Sequence, residues 1–187
     1  MVQAMLTPTD ALILVDVQKD FCPGGRLPVP GGDDIVPVLN GWIEAARQGG
    51  AVVVASRDWH PEGHVSFREQ GGPWPSHCVQ GSDGAGFHPG LELPEGVWVV
   101  SKGDRPELDQ YSDFEGTPLA GELRGKGVKR LFVGGLALDV CVRATVLDAL
   151  GHGFETHVLT SGAKALDETS GRRTLEEMRR AGAILEQ

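Results

Sequence analysis

Four points in this chain carry side chains that could do chemistry together: Cys141, Asp16, Lys102 and the trio Asp58, His60 and His77. Cys141 follows the run Leu131-Phe132-Val133 and then Gly134-Gly135-Leu136-Ala137-Leu138-Asp139-Val140. That order predicts a strand, a sharp turn on two glycines, and a helix running to Gly151 with the cysteine in its first turn. Unpaired N–H groups and the positive dipole end at a helix start favour thiolate over thiol. A lone free cysteine is nevertheless more often a small buried hydrophobe, so the other three points decide. Asp16 interrupts an apolar run, ALILVDV, where a carboxyl is costly unless it is paired or functional. Lys102 ends a second apolar run, where a lysine can simply reach for water. Taken with Cys141 they make a nucleophile site. Asp16 would take the thiol proton, and Lys102 would stabilise both the carboxylate and the emerging thiolate.

Asp58 and His60 lie two apart on an extended segment, so their side chains share a side. With one more ligand they could hold a divalent ion and leave positions open. His77 is the best third ligand, because Pro73-Trp74-Pro75 stiffens the approach to it. His64 and Glu69 are alternatives. These residues fall in a stretch of little periodicity from Arg57 to Gly96, with eight glycines, five prolines and four of the six histidines. A loop this long is unusual in a compact domain unless it has a task. His88, His152 and His157 show no partner signal and read as surface or helix-end residues.

The elements that must position these groups alternate. Buried-strand runs are expected at 11–17, 51–55, 97–100, 131–133, 154–159 and 183–185. Helical spacing of apolar residues is expected over 33–48, from about Pro118, up to Gly151, and from Ser170 to Gly182. Such alternation predicts a single α/β domain over 1–187, three-layered, with a mostly parallel sheet of about six strands. In open sheets of this kind, sites form beyond the carboxyl ends of the strands. Asp16, the Asp58-x-His60 pair, Lys102 and the cysteine turn all fall at such ends.

Composition narrows the partners. The 187 residues are 40% hydrophobic, enough for a full core, and carry a formal charge of −9. That charge argues against nucleic acid or an anionic membrane as partner. No apolar run has the length of a membrane span. No basic segment precedes the first apolar run, so no secretory leader is expected. Three widely spaced cysteines, Cys22, Cys78 and Cys141, do not form a disulfide framework and fit a reducing cytoplasm. The oligomeric state stays open, a homo-oligomer included.

The motifs also carry a resemblance. Asp16-Val17-Gln18-Lys19-Asp20-Phe21 resembles the DxQxDF opening of the isochorismatase-like cysteine hydrolases. Asp58-Trp59-His60-Pro61 with His64-Val65-Ser66-Phe67, and Trp74-Pro75-Ser76-His77-Cys78-Val79-Gln80-Gly81, resemble the metal segments of their nicotinamidase/pyrazinamidase group. Lys102-Gly103, Tyr111-Ser112-Asp113-Phe114 and Gly135 to Val142 complete a match over essentially the whole chain. Relatives without the metal, acting on other small amides or on isochorismate, do not show the second pair. The resemblance implies an isochorismatase-like (Rossmann-like) fold. It implies hydrolysis of nicotinamide to nicotinate and ammonia through a cysteine thioester, in NAD salvage, with pyrazinamide accepted too. It implies Asp16, Lys102 and Cys141 as the catalytic triad. Asp58, His60 and His77 become ligands of one divalent metal ion, zinc first, with iron or manganese compatible. Ser66 or Glu69 falls at a variable fourth position. Phe21 and Trp74, with Tyr111 near, wall the ring pocket, beside Ala137. The backbone amides of Leu138 and Cys141 form an oxyanion hole beside a cis bond expected at Ala137–Leu138. Ser161 to Lys164 and the charged loop Asp104 to Asp109 depart from the family's usual pattern.

Overall fold

The computed structural model describes residues 5–187. Residues 1–4, on which part of the reading of the N-terminus rests, lie outside them. Six strands form one sheet: β1 (Asp10–Val15), β2 (Val52–Asp58), β3 (Trp98–Lys102), β4 (Arg130–Leu136), β5 (Glu155–Lys164) and β6 (Ile184–Glu186). Their spatial order is β3-β2-β1-β4-β5-β6. Every pairing is parallel, so the sheet is wholly rather than mostly parallel. Four helices cover it: α1 (Val36–Gly49), α2 (Leu119–Gly125), α3 (Arg143–Gly151) and α4 (Glu168–Ala181).

The pleat divides the core. Ala11, Ile13 and Val15 of β1 pack with Leu119, Leu123, Val146 and Met178 of α2, α3 and α4. Leu12 and Leu14 pack on the opposite face with Leu39, Trp42 and Ile43 of α1. All six β1 residues are buried, which is why the run reads as continuously apolar. Burying each of its leucines stabilises the fold by about 1.5–3 kcal/mol.

Helix ends follow local chemistry. α1 carries Pro37 in its first turn, where no N–H is needed, and stops on Gly50 in the left-handed region at φ 71°. α4 starts two residues before Ser170, because the Asp167 carboxylate accepts from the Ser170 N–H at 2.9 Å and caps it.

Four expectations change. Gly134 and Gly135 do not make the turn before the cysteine, because they lie inside β4. Gly135 is needed where β4 crowds β1. A Cβ there would lie 2.0 Å from the Val15 carbonyl oxygen, and its φ is 132°. The cis peptide is Leu136–Ala137, one bond earlier than expected. Cys141 sits in a π-helical turn, Leu138–Val142, that precedes α3. His157 is not a surface residue. It is buried in β5, stacked on Phe132 at 4.5 Å between ring centroids. Its Nδ1 pairs with Glu186 at 2.6 Å and its Nε2 with Glu155 at 2.9 Å.

Candidate active site

The strand order reverses between β1 and β4, and their carboxyl ends open a crevice there. Asp16 is the first residue past β1, in the left-handed region at φ 51°. That conformation is uncommon for a residue with a Cβ, and aspartate tolerates it better than most. It turns the carboxylate across the strand ends toward β2 and β3. The register sets Asp58 of β2 directly beside Lys102 of β3. The π turn after β4 brings Cys141 in from the other side.

Lys102 is the hub. Its Nζ pairs with Asp16 Oδ2, donates to Asp58 Oδ1 at 2.6 Å, and lies 3.8 Å from Cys141 Sγ. Its side chain is fully buried, so its charge is tolerable only because two carboxylates neutralise it. Burial alone would favour the free amine, and Asp16 and Asp58 outweigh it, holding Lys102 well above its usual range. Burial pushes the Asp16 carboxyl up, with Lys102 opposing and Asp58 reinforcing. Burial also pushes the Cys141 thiol well up, against the pull of Lys102. The helix-start effect expected from sequence therefore does not decide the thiol's state. The adjacent proton acceptor does: carboxylate oxygens of Asp16 and Asp58 and the Cys141 sulfur lie within 4.8 Å of one another.

Beside this cluster, Asp58, His60 and His77 bring one ligand atom each within 4.8 Å of the others. Asp58 Oδ2 is 3.4 Å from His60 Nε2 and 3.6 Å from His77 Nε2. Donors bonded to one ion at about 2.0–2.1 Å in tetrahedral directions stand roughly 3.3 Å apart, so this spacing fits a shared cation. The tautomers fit as well. His60 Nδ1 donates to the Gly103 carbonyl at 2.9 Å and His77 Nδ1 to the Pro75 carbonyl at 2.7 Å. Each leaves its Nε2 lone pair facing Asp58. Gly103 must lack a side chain there, since a Cβ would lie 2.4 Å from the His60 ring.

The alternatives resolve differently. His64 is buried against His60, but its Nδ1 takes the Ser66 amide (3.2 Å) and hydroxyl (2.7 Å), and its Nε2 reaches the Leu108 carbonyl at 3.0 Å. Both nitrogens are engaged, so His64 ties the metal loop to the loop before Tyr111. Ser66 is buried beside it, whereas Glu69 is exposed and its carboxylate is not among the clustered ligand atoms.

A half-open cavity of about 370 Å³, mouth included, opens over Cys141. Phe21, Trp74, Tyr111 and Ala137 wall it, with Asp58 and His77 at its floor. The Trp74 Nε1–H donates to Tyr111 Oη at 3.0 Å, and Tyr111 donates to Asp109 Oδ2 at 2.7 Å. Burial foremost pushes the Tyr111 phenol up to about 12, so it stays a donor.

Sequence reasoning missed several contributors. Leu27, Val29, Val140 and Leu166 complete the cavity's apolar walls. Gln18 clamps Asp58: its Nε2 donates to the Asp58 carbonyl at 2.8 Å and its Oε1 accepts the Asp58 N–H at 2.8 Å. Asp20 Oδ2 accepts the Cys78 N–H at 2.7 Å, which fixes the segment carrying His77. The signal was present, since Asp16, Gln18 and Asp20 alternate after a strand end.

Comparison with known proteins gives the same architecture. The Isochorismatase domain model matches residues 10–187. The nicotinamidase of Escherichia coli (strain K12) is 41% identical, over 95% of this chain and 94% of that one. A crystal structure of the pyrazinamidase of Pyrococcus horikoshii in complex with zinc superposes with a TM-score of 0.94 at 52% identity, covering 96% of this chain and 99% of that one. PnC1 from L. infantum in complex with nicotinate gives 0.92 at 39% identity, covering 100% and 96%. No helix among the described residues is long and apolar enough to cross a membrane.

Proposed function

Since this chain belongs to the isochorismatase family, we propose that it is a nicotinamidase that converts nicotinamide to nicotinate and ammonia and also accepts pyrazinamide. The observation that carries this reading is the juxtaposition of two constellations. A buried Asp16–Lys102–Cys141 cluster adjoins an Asp58–His60–His77 ligand set under one aromatic-walled cavity. The named relatives, a nicotinamidase and a pyrazinamidase among them, support the substrate.

The pyridine ring enters between Phe21 and Trp74, with Tyr111 and Ala137 closing the sides. Asp16 removes the Cys141 proton as the sulfur attacks the carboxamide carbon. The oxyanion is received by the Leu138 and Cys141 amides; a donor of this kind is worth ~10²–10³ in rate. Asp16 returns the proton to the nitrogen, the C–N bond breaks, and ammonia leaves a thioester on Cys141. Water attacks that thioester with Asp16 again taking a proton, nicotinate leaves, and the thiol is restored. Lys102 keeps Asp16 and the transient thiolate charged although both side chains of the Asp16–Lys102 pair are buried.

Asp58, His60 and His77 would hold a divalent ion, and when bound it supplies a Lewis-acid point that orients and polarises the ring. Zinc suits two imidazoles and a carboxylate, as iron and manganese do, and the P. horikoshii relative is a zinc complex. The reading places the enzyme in the cytoplasm, in the salvage of pyridine nucleotides, which its three buried free cysteines support.

Ammonia release from nicotinamide tests the reading, measured before and after chelation and after metal add-back. Turnover that falls on chelation and returns on add-back is expected. A protein that releases no ammonia from nicotinamide in any metal state would contradict it. His77→Ala removes one of three ligands and is expected to lower metal affinity by more than the ~10–100-fold typical of losing a group that only hydrogen-bonds a ligand, and so to lower bound metal per chain. Unchanged metal content after dialysis would remove His77 from the ligand set.

A further inference from the structure

Asp113 is a third carboxyl bearing on Lys102, after Asp16 and Asp58, and the mechanism above does not use it. It is completely buried, and neither carboxylate oxygen has a hydrogen-bond partner. Its backbone is held from two sides. The Asp113 N–H donates to Thr145 Oγ1 of α3 at 3.0 Å, and its carbonyl accepts from the Thr117 hydroxyl. Its position is therefore fixed, not a matter of a side chain seeking water.

The groups around it are already committed. Lys102 of β3 bears on it, but the three N–H bonds of Lys102 face Asp16, Asp58 and Cys141. Ser56 of β2 also bears on it. The single Ser56 proton goes to Asp16 Oδ1 at 3.0 Å, and Ser56 Oγ also takes the Asp16 N–H at 3.3 Å. A hydroxyl has two acceptor lone pairs, so one remains on Ser56. An ionised Asp113 could be served only by the Ser56 hydroxyl, at the cost of taking its proton from Asp16, whereas a neutral Asp113 has an O–H to give to that lone pair. An unpartnered buried carboxylate is far costlier than a neutral acid.

We propose that Asp113 works as a neutral carboxylic acid whose O–H is directed at Ser56, and that it is thereby a positioning residue for Asp16. It fixes the polarity of the relay, so that the Ser56 proton always points at Asp16 Oδ1 and leaves Oδ2 to Lys102. The role assigned to Asp16 rests on the nicotinamidase reading; the protonation of Asp113 does not. Charge agrees with the geometry. Burial foremost, with Lys102 opposing and the Asp16 and Asp58 carboxylates adding, raises Asp113 to about 8. Loss of its proton would place a further negative charge near Asp16 and Lys102, and kcat should fall as pH rises through that range.

Infrared difference spectroscopy of substrate-free holoenzyme labelled with ¹³C-aspartate tests the protonation directly. A protonated-carboxyl carbonyl band at pH 7, lost as pH rises through about 8 and absent in Asp113→Asn, is expected. Carboxylate bands alone at pH 7 would overturn the proposal, whatever the enzyme does with nicotinamide. Stability gives a second readout. Between the unfolded value of 3.8 and about 8, the unfolded chain is ionised at this position and the folded chain is not. Asp113 therefore costs stability progressively as pH rises through that window. The melting temperature of Asp113→Asn should gain on the wild type from pH 4 to pH 8, and a constant difference would contradict the proposal. For positioning, Asp113→Ala should lower kcat about tenfold with KM unchanged, the order of one lost buried hydrogen bond. Asp113→Asn keeps an N–H donor, should restore most of that loss, and should remove the alkaline decline. Equal kcat in wild type and Asp113→Ala would end the positioning role.

Discussion

Replacing Cys141 by alanine is expected to lower ammonia release from nicotinamide by ~10⁵–10⁶-fold, the scale at which hydrolases lose rate when a nucleophile that acts as a unit with its base is removed. The physical reason is local. The Cys141 sulfur is the group that Lys102 and Asp16 converge on, and no other thiol reaches the cavity. Cys22 lies under a different surface, and burial, with Asp33 adding, holds its thiol up to about 11. Cys78 has its thiol raised well above the usual range by burial. Alanine leaves the aromatic walls and the Asp58–His60–His77 set untouched, so metal content and nicotinamide binding should persist. The check is steady-state kinetics beside calorimetric titration of the variant with nicotinamide. Retained binding with lost turnover separates the nucleophile from the pocket.

Lys102→Met should cost more than activity. It leaves Asp16 and Asp58 buried within reach of each other with no cation between them. Breaking a buried ion pair by removing one partner costs about 3–5 kcal/mol, and here one lysine serves two carboxylates. The sign with pH follows from the shift. The folded-state value of Lys102 is raised above its unfolded 10.5, so its contribution is fully present below that value and is lost only as pH rises through the folded one. At neutral pH the variant therefore loses the whole of it. Acidification should recover part of the loss, because protonating Asp16 or Asp58 removes the repulsion. Urea denaturation of both proteins at pH 7 and pH 5 measures this, with a smaller gap expected at pH 5. Equal gaps would mean that the lysine acts through packing alone.

Much of this was readable from the chain, for identifiable reasons. Strands buried on both faces are continuous apolar runs, and 11–17 and 131–133 stood out for that reason. Site residues at the carboxyl ends of parallel strands need only the strand ends to be located, which placed Asp16, Lys102 and Cys141 together. The Asp58–His60–His77 grouping is legible through the i, i+2 spacing of its first two members and a proline-stiffened return to the third. What stayed hidden depends on contacts between residues far apart. Gly135 reads as a turn glycine until β4 is laid against β1, where its missing Cβ admits the Val15 carbonyl. His64 reads as an alternative ligand to His77, until Ser66 and Leu108 are seen to occupy both its nitrogens. His157 looks like a helix-end residue until β6 brings Glu186 beside it. Asp113 lies in an irregular segment, and no periodicity signals that its carboxyl faces inward.

The central claim is that Cys141 carries the acyl group of nicotinamide as a thioester. Hydroxylamine competes with water for a thioester but has no intermediate to intercept if water attacks the amide directly. The most direct measurement is product analysis of nicotinamide turnover by the metal-loaded enzyme across a hydroxylamine series, with Cys141→Ala alongside. The account predicts ammonia release by the wild type, nicotinohydroxamate rising at the expense of nicotinate, and neither product from the variant. Nicotinate formed without hydroxamate at any hydroxylamine concentration, or undiminished ammonia release by Cys141→Ala, would contradict it.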